Sequence, residues 1–162
     1  MTQFGNCNFT KGVISVDGKT LYAMTSNDAF YCYSLSNPMN PVQSCYYRDN
    51  AETPQYQDFS FIDNSTIYLV DWNFGLDILN ISDGYLFHND EMMKSRAISG
   101  DGNIVYVTDH SGGLEIINIT NPYLPKFVGS YPFEESTAVA VTADGKLAFV
   151  TGLYYYLTAI NV

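Results

Sequence analysis

Positive charge is scarce in this chain of 162 residues. Seven Lys and Arg stand against 17 Asp and Glu, a net charge of −10. The seven are scattered, as Lys11, Lys19, Arg48, Lys94, Arg96, Lys126 and Lys146. No basic stripe exists that could track a phosphate backbone or dock on an anionic membrane, so nucleic acid and membrane insertion are excluded as partners. The acidity is read as a source of solubility. No apolar run approaches the roughly 20 residues of a membrane span. The N-terminus, Met-Thr-Gln-Phe-Gly-Asn, has neither a basic start nor an apolar stretch. No signal peptide is therefore expected in this chain, which is read as cytosolic or, in the preferred reading, as a mature or excised segment of a secreted protein. Histidine is limited to His88 and His110, and cysteine to Cys7, Cys32 and Cys45. Without a Cys-x-x-Cys pair or a Cys/His cluster, no zinc site is expected. Gly-x-Ser-x-Gly is absent, and no nucleophile–His–acid set is suggested by spacing. No segment sustains helical periodicity, so helix should be minimal.

What is abundant is aromatic: 14 Tyr and 10 Phe, within an apolar fraction of 46%. Such side chains favour strands. They fall into a pattern that returns four times. An Asp opens a turn, an aromatic follows five residues later, and a Leu or Phe eight residues after that. The copies are Asp17-Tyr22-Phe30, Asp63-Tyr68-Leu76, Asp101-Tyr106-Leu114 and Asp144-Phe149-Leu157. Spacing is fixed inside each unit and varies between units, as in a repeat fold with loops of variable length.

Each unit reads as short strands divided by turn residues. In the third, strands are expected at 96–99, 104–108, 114–119 and 126–131. Gly100-Asp101-Gly102-Asn103 makes a tight hairpin turn, and Asn121-Pro122-Tyr123-Leu124-Pro125 breaks the chain before the last strand. The first unit repeats this with strands at 13–16, 21–25, 30–35 and 42–47 and the break Asn37-Pro38-Met39-Asn40-Pro41. Four antiparallel strands in about 42 residues make one propeller blade. The fold class is therefore all-β, a small propeller of four antiparallel blades in a single domain over 1–162, with units at about 12–47, 58–93, 96–133 and 138–162. The fourth unit stops without its outer strand. Residues 3–9 look like an outer strand with no blade. They close the ring on the fourth blade, or complete a neighbouring copy head to tail, or the chain is cut from a longer array. Ring closure is the preferred reading.

The third unit also carries Val105-Tyr106-Val107, Gly112-Gly113-Leu114-Glu115-Ile116-Ile117-Asn118-Ile119-Thr120-Asn121-Pro122, Pro125 and Val128-Gly129-Ser130-Tyr131. In these segments it resembles the LVIVD-repeat family of β-propellers. Gly75 to Ser82 and Leu35-Ser36-Asn37-Pro38 with Pro41 carry the resemblance into the second and first units. The resemblance implies a secreted or surface propeller without a common active site. Asn80 and Asn118, and Ser34 in the first unit, stand where the family usually has Asp. Asn keeps the oxygen acceptor that caps the following turn.

Four sequons are present, at Asn8, Asn64, Asn80 and Asn118, and matter if the chain is secreted. Asn64, in a hairpin turn, and Asn8 are the favoured glycosylation candidates. Cys32 and Cys45 lie on adjacent strands of the first unit and face each other if the hairpin folds about residues 38 and 39, so a disulfide is a candidate there, against three reduced thiols, and would leave Cys7 over. Asp71 and Asp109 end corresponding strands, and Asp28 lies near the matching loop. A ring of these carboxylates could hold Ca²⁺, but loop capping by Asp is the favoured reading, and no metal or other cofactor is expected. Trp72 and the run Tyr154-Tyr155-Tyr156 lie on loops, where aromatics form protein interfaces or stack on sugars. Packing between blades is the competing role. Two arginines cannot supply the arginine triad of sialidase-type propellers. The expected role is thus a non-catalytic extracellular module for structure, adhesion or assembly, with protein partners or self-association through the terminal strand. The alternative is a carbohydrate-binding propeller whose partner is a glycan.

Overall fold

The computed structural model describes residues 8–15, 17–26, 29–48, 55–61, 65–82, 86–89, 95–100, 102–153 and 157–162. These form fifteen strands in four antiparallel sheets, with no helix among the described residues. The chain divides into two compact units, Met1–Tyr56 and Gln57–Val162.

The first unit is one sheet: β1 (Phe9–Ile14), β2 (Thr20–Thr25), β3 (Ala29–Ser34) and β4 (Val42–Arg48), paired in chain order. The Asp that opens the repeat is what builds the β1–β2 turn. The Ser15 hydroxyl donates to Asp17 Oδ1 at 2.6 Å, and the Lys19 amide donates to the same oxygen at 3.0 Å. Gly18 supplies the positive φ of 71°, which costs a residue without a Cβ nothing. Tyr22, Met24, Phe30 and Cys32 are buried on one face of the sheet, with Tyr22 stacked on Phe30. Cys32 is the direct partner of Cys45 across β3–β4, and the two are joined by a disulfide with Cα atoms 4.7 Å apart. That spacing is typical of the closer class of antiparallel pair, where side chains approach best. After β3, the break at Asn37 is an Asx turn, its Oδ1 accepting from the Met39 amide at 3.2 Å.

The second unit holds three sheets. The first is β5 (Tyr56–Phe61), β6 (Thr66–Asp71), β7 (Gly75–Asn80) and β8 (Leu86–Asn89). The next is β9 (Ser95–Gly100), β10 (Ile104–Asp109), β11 (Gly113–Asn118) and β12 (Lys126–Tyr131). The last has three strands, β13 (Ser136–Val141), β14 (Leu147–Gly152) and β15 (Leu157–Asn161). β6 and β10 lack the alternation of a half-exposed strand because both of their faces are covered. Tyr68, Val70, Leu76 and Ile78 pack with Ile98, Val105, Val107, Ile117 and Ile119 in one core. Tyr106, Leu114 and Ile116 point the other way, into a second core with Ala148, Val150 and Ile160. Each such aliphatic side chain contributes about 1.5–3 kcal/mol on burial. The β13–β14 turn is built like the β1–β2 turn. Thr142 Oγ1 donates to Asp144 Oδ1 at 2.7 Å, the Lys146 amide follows at 3.3 Å, and Gly145 takes a φ of 66°.

The expected strands of the third unit are present, but first strands begin earlier than the sequence suggests. β1 opens at Phe9, β9 at Ser95 and β13 at Ser136. Each carries a shift of register next to that residue, between Phe9 and Lys11, opposite Thr108 and Asp109, and between Ser136 and Ala138. A bulge breaks the period of two that marks a strand. Phe9, read as the end of a closing strand, is thus the first residue of β1, and residues 3–7 of that segment lie outside the described residues. β8 is a fourth strand in the sheet of β5 to β7 that no motif announces.

Candidate functional site

The β6–β7 and β10–β11 hairpin loops lie side by side in the second unit. Each runs from an Asp at the end of one strand to a Gly at the start of the next, Asp71 to Gly75 and Asp109 to Gly113. Asp71, fully buried, accepts on Oδ1 from the amides of Asn73 at 2.6 Å and Phe74 at 2.9 Å. Asp109 does the same for Ser111 at 2.7 Å and for Gly112. The loops close on glycines of positive φ, 87° at Gly75 and 93° at Gly113. A Cβ at Gly113 would overlap the Tyr131 carbonyl oxygen and the Phe133 nitrogen, so the chain passes too close there for any side chain. These two carboxylates therefore serve as loop caps. Among the described residues no three His, Cys, Asp or Glu side chains gather as a metal ion needs. Asp28 lies outside the described residues. Thr25 occupies the capping place in the first unit, its hydroxyl donating to the Ala29 carbonyl at 3.1 Å.

Trp72 and His110, one from each loop, meet with ring centroids 5.4 Å apart. Both are half-buried. His110 is therefore not a plain surface residue, and its Nδ1 is buried with no hydrogen-bond partner, as is Asp109 Oδ2. Trp72 is only partly available to a ligand, since one part of its ring system is given to His110. Ser136 ties this region to the last sheet. It is fully buried, and its hydroxyl is shared between the Asp109 carbonyl at 2.7 Å and the Gly113 carbonyl at 3.0 Å. Glu135, the preceding residue, has a φ of 54° and donates its amide to the His110 carbonyl at 3.3 Å. Beside this junction is a cleft of about 390 Å³ lined by Phe133, Glu134, Ser136, Val150, Thr151 and Thr158 among others. Its serine is committed to backbone carbonyls, and Glu134 is the charged group on its wall.

Of the remaining candidates, Asn118 Oδ1 accepts from the Thr120 amide and Asn80 Oδ1 from the Ser82 amide, both at 2.9 Å. Asn80 Nδ2 also donates to the Tyr123 hydroxyl at 3.2 Å. Asn8 is exposed just before β1. Asn64, Cys7 and Tyr154, Tyr155 and Tyr156 lie outside the described residues. The exposed apolar side chains form a set that motif reading did not mark. Phe127 (65% exposed) and Val128 (59%) stand on β12, at the edge of its sheet, next to exposed Tyr123, Leu124 and Tyr131. In the first unit Met39, Val42 and Tyr46 are exposed at the matching turn and strand.

The LVIVD repeat family model matches residues 94–132, which hold β9 to β12. Among solved structures, the computationally designed Ika4 protein superposes with a TM-score of 0.77 at 10% identity, covering all of this chain and 96% of that one. A putative 6-phosphogluconolactonase from Bacteroides uniformis gives a TM-score of 0.75 at 18% identity and covers 94% of this chain. This chain spans 50% of the length of that structure. No curated protein sequence matches the chain. These likenesses concern the fold.

Proposed function

We propose that the chain is a non-catalytic extracellular module, a propeller of four small blades that works by contact with other proteins. The observation that carries this reading is the apolar edge strand β12. An exposed strand edge carrying Phe127, Val128 and Tyr131 is a hazard in a free protein and an asset at an interface. The polar groups that would otherwise invite a catalytic reading are spent on turns: Asp17, Asp71, Asp109 and Asp144 cap loops. The Cys32–Cys45 disulfide suits an oxidising compartment and so an extracellular setting. Four sheets in chain order, with the cores of consecutive sheets interleaved in the second unit, support the blade assignment. The last sheet has three strands, and its fourth is proposed to be the segment before β1, from this chain or a neighbour.

An array of immobilised extracellular proteins and glycans tests the reading. The chain is expected to be retained on protein spots, and the double variant Phe127→Glu/Val128→Lys to lose that retention while keeping its circular dichroism. Retention on glycans, lost on Trp72→Ala, would move the function to carbohydrate binding. Turnover of a sugar lactone, the chemistry in the name of the Bacteroides structure, would overturn the non-catalytic reading.

A further inference from the structure

We infer that the cleft at the start of β13 binds a small organic amine, taking its ammonium group at Glu134 and its apolar body against Phe133 and Val150. The site lies within the second unit and is separate from the β12 edge, so it does not depend on the role given to that edge above.

One wall of the cleft is fixed before any ligand arrives. Residues 132–136 cross between two hairpin loops and are tied to both. The Glu135 amide donates to the His110 carbonyl at 3.3 Å, and the Leu153 amide donates to the Glu135 carbonyl at 3.2 Å. Between these two bonds Glu135 takes a φ of 54°, a left-handed conformation that a residue with a Cβ seldom adopts and that clusters at ligand sites. The Ser136 hydroxyl holds the next residue to the Asp109 and Gly113 carbonyls. At the end of β14, a Cβ added to Gly152 would stand 3.5 Å from the Glu134 carbonyl oxygen and 3.6 Å from that of Glu135, so the strand end and the wall lie in close contact. A wall held from both sides loses little freedom on binding, which lowers the cost of taking up a ligand.

The lining selects the ligand by its hydrogen-bonding sense. Pro132, Phe133 and Val150 supply apolar surface, the last two packed in the core around Tyr106. The polar side chains are mostly acceptors. Glu134 is exposed and belongs to no ion pair among the described residues, and a carboxylate accepts without donating. The Ser136 proton is shared by two carbonyls, as above. Thr137 Oγ1 donates to the Thr151 carbonyl at 3.2 Å, so the 3.1 Å contact between the two threonine hydroxyls uses the proton of Thr151 and leaves that oxygen an acceptor. Thr158 keeps a hydroxyl that both donates and accepts. No Lys, Arg or His lines the cleft among the described residues. A ligand must therefore bring the donors and the positive charge, and an anion would face Glu134 with nothing to offset it. An ammonium group carries three N–H donors, and a chain of net charge −10 concentrates cations at its surface. The volume of about 390 Å³ lies within the roughly 300–1,000 Å³ of small-molecule sites.

Titration of the intact, isotope-labelled chain with phenethylamine, followed by amide NMR, tests this. Saturable shifts are expected, confined to the amides of Phe133, Glu134, Thr151, Gly152 and Thr158. Phenethyl alcohol, of the same size without the charge, should bind more weakly, and hydrocinnamate, which carries the opposite charge, should cause no shift. Glu134→Gln changes an exposed side chain, so its circular dichroism should match the wild type while its affinity for phenethylamine falls about three- to tenfold. Phe127→Glu/Val128→Lys should bind the amine as the wild type does. The inference is overturned by the absence of saturable shifts, by shifts spread over the acidic surface, by an equal response to hydrocinnamate, or by a Glu134→Gln variant that binds as tightly as the wild type.

Discussion

Replacing Ser136 by Ala removes one oxygen from a fully buried place and should be felt across two sheets. The hydroxyl reaches from the start of β13 to the carbonyls of Asp109 and Gly113, at both ends of the β10–β11 loop. An ordinary intramolecular hydrogen bond contributes about 1 kcal/mol, and an acceptor left buried without a donor costs about 1–3 kcal/mol. Ser136 has no exposure, so water does not replace the lost donor without a local opening. A loss of about 1–3 kcal/mol is expected, which in a chain of this size lowers Tm by roughly 3–10 °C. Urea denaturation followed by circular dichroism gives the free energy. Amide exchange at Gly113 and in β13 should quicken more than at Val13 or Tyr22, since those residues belong to the first unit. The reasoning is refuted if Ser136→Ala unfolds within about 0.5 kcal/mol of the wild type, the range of an ordinary surface change.

The Cys32–Cys45 bridge closes a loop with a sequence separation of 13, for which chain entropy gives about 3 kcal/mol. Cys32→Ala/Cys45→Ala should be less stable by up to that amount, and a reductant should weaken the wild type and leave the variant unchanged in urea titrations. Asp17 and Asp144 are held below the usual carboxylate value of 3.8, first by the hydroxyls of Ser15 and Thr142 and then by the Lys19 and Lys146 amides. Their ionised forms favour the folded turns, so this contribution is complete above pH 3.8 and is lost as pH falls through the lowered midpoints. Carboxyl-carbon NMR should find both midpoints below 3.8, with Ser15→Ala moving Asp17 upward; a midpoint above 3.8 would contradict the turn geometry.

The repeat itself was legible because its residues act locally. Asp17 and Asp144 make turns with their own neighbours, and Asn37 and Asn121 cap the breaks that follow the third strands. Spacing suffices to find such residues. Ser95 and Ser136 were not legible. Both are buried beside a bulge, where alternation fails, and the Ser136 hydroxyl is spent on another sheet's loop. The Trp72–His110 contact joins residues 38 positions apart in different hairpins, and no local pattern encodes such a pairing. Asp71 and Asp109 could be placed at strand ends from the sequence, but whether they cap loops or gather round a cation depends on where each Oδ1 points. β8 lacks the Asn-Pro break that announces β4 and β12.

The two cores of the second unit lie on opposite sides of the sheet formed by β9 to β12. That sheet is a shared wall, and cooperativity must pass through it. Opening the last sheet exposes only the core around Tyr106 and Ala148 and leaves the core around Val70 and Val105 intact. Opening the shared wall dissolves both. Local unfolding should therefore start at β13 to β15 and stop at the wall, so that a hydrogen-exchange map of this unit steps down in protection from β10 to β14 rather than falling evenly.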